Sequence, residues 1–355
     1  MSQSEGKHVL LTGANGFVAS HILSILIDQG YAVTATVRSP AKGEAIIKTH
    51  PSWKDKIEFA IVSDFTTAGP FDEVFKKTKF DYVIHAASPV NFSVSDIQKE
   101  MIEPAEKGTT EILKAALKYD SLKRFVFLSS AVTVMNSFED MTKEGKPYTE
   151  KDWNPVTAKQ AIEKHDAVLG YNVSKIRAEA AAWEFFEKNK PSFDLVVINP
   201  DIIVGPMIHP IDGPKSINET NGFAVSSFID GTHKTIDGVQ FPFYHYVDVR
   251  DVAQSHVDAL TNPAAANQRI LLIADLITPQ LVVNNIRENF PQLKDRVPEG
   301  NPSQILPPGI HPTGWDMRVS LDILAKGSKT GKWNYRDLKT SIVDTVQCML
   351  DSHVI

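Results

Sequence analysis

The chain has 355 residues, of which 42% are hydrophobic and 23% charged, and its net charge is −6. This suits a soluble folded protein of two domains or one large one, and excludes a disordered or fibrous chain. The acidic balance argues against a nucleic-acid partner. No stretch supplies the roughly 18 apolar residues of a membrane-spanning helix, and a single cysteine, Cys348, excludes an intrachain disulfide.

The first residues, Met1 to Lys7, are polar and lead directly into an apolar run, which reads as a strand and not as a secretory signal. With one cysteine, a cytoplasmic setting is expected. The N-x-S/T sequons at Asn91, Asn172 and Asn218 then carry no meaning. Apolar, β-branched runs follow at 9–11, 32–37, 57–62, 82–84, 125–128 and 195–198. Most lack polar alternation, as strands covered on both faces do. Helix-like segments lie between them at 17–29, closed by Gly30, at 104–119 and at 173–190. This alternation predicts an α/β protein with a Rossmann-type, doubly wound parallel sheet. After Pro200 proline and glycine cluster at 205–214 and 298–314. A strand at 244–247 and a helix at 251–260 are expected to return to the first sheet. Residues 1–200, with a return segment at 240–262, are therefore read as the cofactor domain. Residues 201–239 and 263–355 are read as a smaller C-terminal substrate-binding region.

The turn after the first strand runs Thr12-Gly13-Ala14-Asn15-Gly16-Phe17-Val18-Ala19. Glycine permits a sharp turn and close approach of backbone to a pyrophosphate, and the helix start offers N–H groups to the phosphates. Gly13, Asn15, Gly16, Phe17 and Val18 are thus candidate cofactor residues. An NAD site usually carries Asp or Glu at the end of the second strand. Here Arg38 stands there with Lys42 nearby. Two cations suit a 2′-phosphate, which a carboxylate would repel, so NADPH/NADP+ is the expected cofactor. After the third strand, Asp64 and its neighbour Phe65 are candidates for the adenine, although Asp also suits a turn. Ala86, Ala87 and Ser88, after the fourth strand, are small enough for backbone to lie against the ribose.

Tyr171 and Lys175 are four residues apart, on one face of a helix if that segment is helical. An ammonium beside a phenol favours phenolate, and a tuned tyrosine can exchange a proton with a carbonyl or alcohol oxygen. Ser129 and Ser130 end the fifth strand, at the sheet edge where ligands bind in such folds.

In combination these motifs resemble the extended short-chain dehydrogenase/reductases. The nearest branch holds dihydroflavonol reductases, cinnamoyl-CoA reductases and yeast NADPH-dependent methylglyoxal/3-methylbutanal reductases. Carrying segments are TGANGFVASH (12–21), VRSPAK (37–42), HAASPVNF (85–92), FVFLSSA (125–131), YNVSK (171–175), NPDIIVGP (199–206) and YVDVRDVA (246–253). The resemblance implies that Ser130, Tyr171 and Lys175 form the catalytic triad, with Tyr171 and Lys175 also touching the cofactor. It implies that Arg38 and Lys42 hold the 2′-phosphate, and that Pro200 and the backbone near Ile203 receive the nicotinamide carboxamide. The implied activity is hydride transfer from NADPH to a small aldehyde, ketone or diketone, with Tyr171 as proton donor.

Met135 stands where dihydroflavonol reductases typically carry Asn, which speaks against flavonoid specificity and for an apolar pocket. Val90, Phe92, Met135, Phe138 and Tyr244 are the substrate-pocket candidates. His209, His245 and His256 form no ligand pattern, so no metal is expected. The implied partner is a small carbonyl substrate, with neither nucleic acid nor membrane, and the chain is expected to be a monomer or homodimer. A nucleotide-sugar epimerase or dehydratase is the alternative enzyme, but residues 132–137 contain no acid where dehydratases carry an acidic pair. A non-catalytic NADP sensor is a further alternative; such proteins often lose the Tyr that this chain keeps.

Overall fold

The computed structural model describes residues 6–88, 92–242 and 244–355. The N-terminal part runs β1 (His8–Thr12), α1 (Phe17–Asp28), β2 (Ala32–Val37), α2 (Pro40–Thr49), β3 (Ile57–Ile61), α3 (Asp72–Lys77), β4 (Tyr82–His85) and α4 (Glu103–Leu117). It continues with β5 (Arg124–Leu128), α5 (Ala158–Glu163), α6 (Ala167–Asn189) and β6 (Asp194–Pro200). Beyond these lie β7 (Ile202–Val204), α7 (Glu219–Ala224), β8 (His245–Asp248), α8 (Val249–Ala259), β9 (Gln268–Leu272) and β10 (Asp275–Leu276). Helices α9 (Pro279–Asn289), α10 (Arg318–Gly327) and α11 (Leu338–Asp351) complete the chain.

Seven parallel strands form the main sheet in the order β3-β2-β1-β4-β5-β6-β9. Strand side chains alternate between faces. Val9 and Leu11 join one core, shared with α1 and α8, while Leu10 joins the other, shared with α4 and α6. Both faces are covered, which is why the strands read as unbroken apolar runs. The strand order reverses direction between β1 and β4. Their carboxyl ends diverge there into a crevice, the usual ligand position in a doubly wound sheet.

Helix α6 begins at Ala167, well before the expected 173. The Asp166 carboxylate accepts the amides of Val168 and Leu169 at 2.9 and 3.0 Å, a side-chain cap that starts the helix there. Tyr171 and Lys175 therefore both lie within α6.

The strand expected at 244–247 forms as β8 but does not return to the main sheet. It pairs parallel with β7 and antiparallel with β10 in a separate three-stranded sheet. The seventh strand of the main sheet is β9, in register with β6 from Val196 opposite Gln268 to Pro200 opposite Leu272. Arg269 precedes the apolar residues of β9 and is buried, its charge matched inside the protein, as shown below. Helix α8 does return, packing on α1. A third core, with Tyr246, Phe228, Ile286 and Val346, joins the small sheet to α9 and α11.

Candidate active site

The turn after β1 is built around Gly13, whose φ is +71°, a region that favours glycine. A Cβ at that position would lie 3.0 Å from the Ala87 Cα, so the turn also needs the missing side chain to pass β4's end. Thr12 ties the two strand ends together. Its hydroxyl accepts the amides of Ala86 and Ala87, each at 3.1 Å, which leaves its own proton for His85 Nδ1 at 2.8 Å. His85 is fully buried and burial pushes its pKa down to about 3, so it is a neutral structural imidazole with its proton on Nε2.

Helix α1 opens at Gly16 with no side-chain cap and no acidic residue in its first turn. Its first amides are thus available to an anion, and no carboxylate competes for them. Thr12, Gly13, Asn15, Gly16, Arg38, Lys42, Phe65, Ala86, Ala87 and Ser88 line one cavity of about 330 Å³, together with Thr36, Val37, Val62 and Phe71. Arg38 and Lys42 are exposed. Gly108 of α4 packs so closely on Phe65 that a Cβ there would lie 2.3 Å from the ring, which fixes one apolar wall. A dinucleotide carrying a 2′-phosphate fits this donor set: uncapped amides, two cations and an apolar slot. Asp64 does not line the cavity. Its carboxylate accepts the amide and hydroxyl of Thr66 at 2.8 and 2.6 Å, which holds its pKa below the usual range, with Arg38 adding to the effect.

A second cavity of about 240 Å³ shares Gly16, Ala86 and Ser88 with the first. Phe17, Val18, Ser130, Tyr171, Lys175, Pro200 and Ile203 line it, as do Asp201 and Thr220. The residues expected from three separate segments are thus brought together. Lys175 is buried, and its Nζ donates to Leu128 O at 3.0 Å over the Phe127 ring. Burial lowers its pKa to about 8, and Glu179, one helical turn on, acts in the opposite direction.

Tyr171 departs from expectation. Burial raises its pKa above the ordinary value, and a hydrogen bond from the Ser130 hydroxyl acts against it. The Lys175 ammonium is directed at Leu128, and desolvation of the phenolate dominates. The phenol is consequently protonated at neutral pH.

Behind Ser130 lies a buried network absent from the sequence reading. Glu179 and Arg269 form an ion pair with Nε to Oε1 at 2.5 Å, Glu179 being 0% exposed. Glu179 Oε2 also accepts from Ser129 at 2.5 Å and from Thr133 and Asn199, each at 2.8 Å. Arg269 reaches onward to the carbonyls of Glu150 and Asp152 at 2.8 and 2.6 Å. This network fixes the Ser129–Ser130 turn against α6 and β6. Glu179 and Arg269 are far apart in sequence, so no local pattern announces the pair. Asp201 and Thr220 were also missed; the one available signal was a charged residue inside the apolar run after Pro200.

The substrate-pocket candidates separate. The Phe92 ring lies 5.6 Å from the Tyr171 ring, but Phe92 is exposed and lines neither cavity. Phe138 is exposed, with Lys164 Nζ 4.5 Å from its ring centre, and does not line either cavity. Met135 is a correction. The chain after Ser130 turns into a short 3-10 helix, Ala131–Thr133, and not an extended strand. Met135 is thereby fully buried with Val134, Leu271 and Ile273, in packing and not on the cleft. Tyr244 is likewise buried, in the third core at φ +62°, with its hydroxyl unpartnered among the described residues. Val90 lies outside the described residues. Among the described residues no group of three His, Cys, Asp or Glu could hold a metal, and no helix is long and apolar enough to cross a membrane.

A family model described as the NAD dependent epimerase/dehydratase family matches residues 9–274. The chain is 40% identical to an uncharacterised oxidoreductase of Schizosaccharomyces pombe, over 83% of this chain and 85% of that one. It is 34% identical to an NADPH-dependent methylglyoxal reductase of Saccharomyces cerevisiae, over 96% and 98%. Among solved structures it is similar to Candida albicans Gre2 in complex with NADPH, with a TM-score of 0.84, 32% identity and coverage of 98% and 99%.

Proposed function

The chain belongs to the NAD dependent epimerase/dehydratase family, and from that premise we propose that it is an NADPH-dependent reductase of small aldehydes, ketones and diketones. The observation that carries this reading is one cleft whose outer half offers two cations and uncapped amides, and whose inner half holds Ser130, Tyr171 and Lys175. Similarity to reductases named for NADPH supports it.

When bound, NADPH supplies the hydride that goes to the carbonyl carbon. The first amides of α1 hold the pyrophosphate, which the absent side chains of Gly13 and Gly16 let approach, and Arg38 and Lys42 hold the 2′-phosphate. Pro200 and the backbone near Ile203 receive the carboxamide. Tyr171 carries its proton at neutral pH because burial disfavours the phenolate, and it delivers that proton to the developing alkoxide. Ser130 hydrogen-bonds the same oxygen. Lys175 holds a ribose hydroxyl and, as a cation, offsets the phenolate that proton transfer leaves behind.

Purified protein should oxidise NADPH when given methylglyoxal, 3-methylbutanal or an aryl ketone, and should use NADH much less well. NADPH binding without turnover of any carbonyl in such a panel would overturn the reductase reading.

A further inference from the structure

Asp201 follows Pro200 at the carboxyl end of β6 and lines the inner half of the cleft. Its amide donates to Leu272 O at 3.2 Å, so the sheet fixes its backbone. Oδ1 accepts the Ile202 amide at 2.9 Å, while Oδ2 is buried with no partner among the described residues. A buried carboxylate in this state is costly, and burial accordingly pushes the Asp201 pKa well above the usual carboxylate range. The other titratable groups lining this half are Tyr171 and Lys175, both from α6. Lys175 is directed at Leu128 O and forms no ion pair with Asp201. The walls supplied by α1, by β5 with the turn after it and by α7 contribute Phe17, Val18, Leu128, Ser129, Ser130 and Thr220, none of them charged.

Asp201 thus brings to the wall of this cavity of about 240 Å³ a carboxyl that no cation among the described residues pairs with, and the charge of an occupant acts on it across that wall. We propose that Asp201 distinguishes the two redox states of the nicotinamide, its carboxylate favouring the positively charged oxidised ring over the neutral reduced one. This rests on the reading that the nicotinamide lies in the inner half of the cleft. Opposite charges several ångströms apart in a partly buried setting shift an equilibrium by about 10–100-fold. The positive ring therefore lowers the Asp201 pKa, and NADP+ binding releases a proton that NADPH binding does not. As pH rises between the two Asp201 pKa values, NADP+ tightens relative to NADPH. At lower pH the carboxyl is neutral and the oxidised cofactor leaves more readily.

The test is titration calorimetry of the whole protein with NADP+ and NADPH separately, from acidic to mildly alkaline pH. The 2′-phosphate titrates in both nucleotides and drops out of the affinity ratio. The wild type should show that ratio moving toward NADP+ by about 10–100-fold as pH rises. Asp201→Asn should flatten it, leaving only a slope near pH 8 where Lys175 titrates. In the wild type alone, at pH values well below 8 where Lys175 stays charged, buffers of different ionisation enthalpy should reveal up to one proton released per NADP+ bound and fewer per NADPH, a readout that does not need the variant to fold. Both nucleotides binding with the same pH dependence, and the same proton count, would overturn the assignment of Asp201 alone. Neither nucleotide binding would remove the cofactor reading and this inference with it.

Discussion

At the outer end of the cleft, the groups that meet the cofactor are backbone amides and two exposed cations. At the inner end they are side chains drawn from the turn after β5, from α6 and from the end of β6, with Tyr171, Lys175 and Asp201 titratable. The outer end needs little support, since backbone amides do not titrate and Arg38 and Lys42 remain solvated. The inner end has to hold Ser130 and Lys175 nearly dry, and it does so with a second layer of buried charge, Glu179 and Arg269. The contrast teaches that affinity can be built from local geometry, whereas proton chemistry requires long-range packing.

The largest effect that tests this contrast is at Tyr171. Tyr171→Phe removes the proton donor and keeps the ring. Turnover should fall by about 10²–10⁴-fold, while NADPH affinity, set mainly at the outer end, stays nearly unchanged in a binding titration. Retained turnover would show that the inner end uses another donor.

Next in size is the buried pair. Glu179→Gln leaves Arg269 buried without its counter-charge, and the unfolding free energy should drop by about 3–5 kcal/mol in denaturant titration. A second readout separates positioning from bulk stability. Burial holds the Lys175 pKa down at about 8, and Glu179 acts to raise it. Lys175 is active as the cation, so kcat/KM should fall as pH rises through about 8 in the wild type. Removing the Glu179 charge lets that pKa drop further, and the alkaline limb should begin at lower pH. An unmoved limb would reduce the pair to a structural role.

How much was legible in the sequence follows the same division. The Gly13 turn, the strands on either side of it and the Arg38–Lys42 pair are fixed by neighbours within a few residues, and local pattern reveals them. Tyr171 and Lys175 were legible through their spacing, although the cap at Asp166 that makes both helical was not recognised. The Glu179–Arg269 pair joins α6 to β9, and β9 itself is a short apolar run, Ile270 to Leu272, that periodicity alone does not assign to strand or helix. Met135 was misplaced because alternation along a strand was assumed where the chain turns at Ala131. Lys175 was expected to lower the Tyr171 pKa, an argument from adjacency that omits desolvation.

At the outer end, Arg38→Ala should weaken NADPH by about 10–100-fold, the range of one or two charge-assisted hydrogen bonds, and NADH far less. Equal weakening of both nucleotides would mean that Arg38 does not meet the 2′-phosphate, and the electrostatic account of that end would fail.

The smallest effect is expected at Asp64, where sequence and structure part company. A carboxylate after the third strand is well placed in sequence to accept from an adenine amino group. In the folded chain both Thr66 donors already bind its Oδ1, its pKa is held low by those bonds, and it stands outside the cavity wall. A side chain so engaged contributes to the turn. Asp64→Ala should therefore change the NADPH dissociation constant by no more than about twofold, and a lost exposed turn bond should reduce stability by about 1 kcal/mol or less. A tenfold loss of NADPH affinity, with NADH affected equally, would show that the carboxylate leaves Thr66 for the adenine. The outer end would then depend on side-chain rearrangement as the inner end does, and the contrast between them would narrow to the phosphates alone.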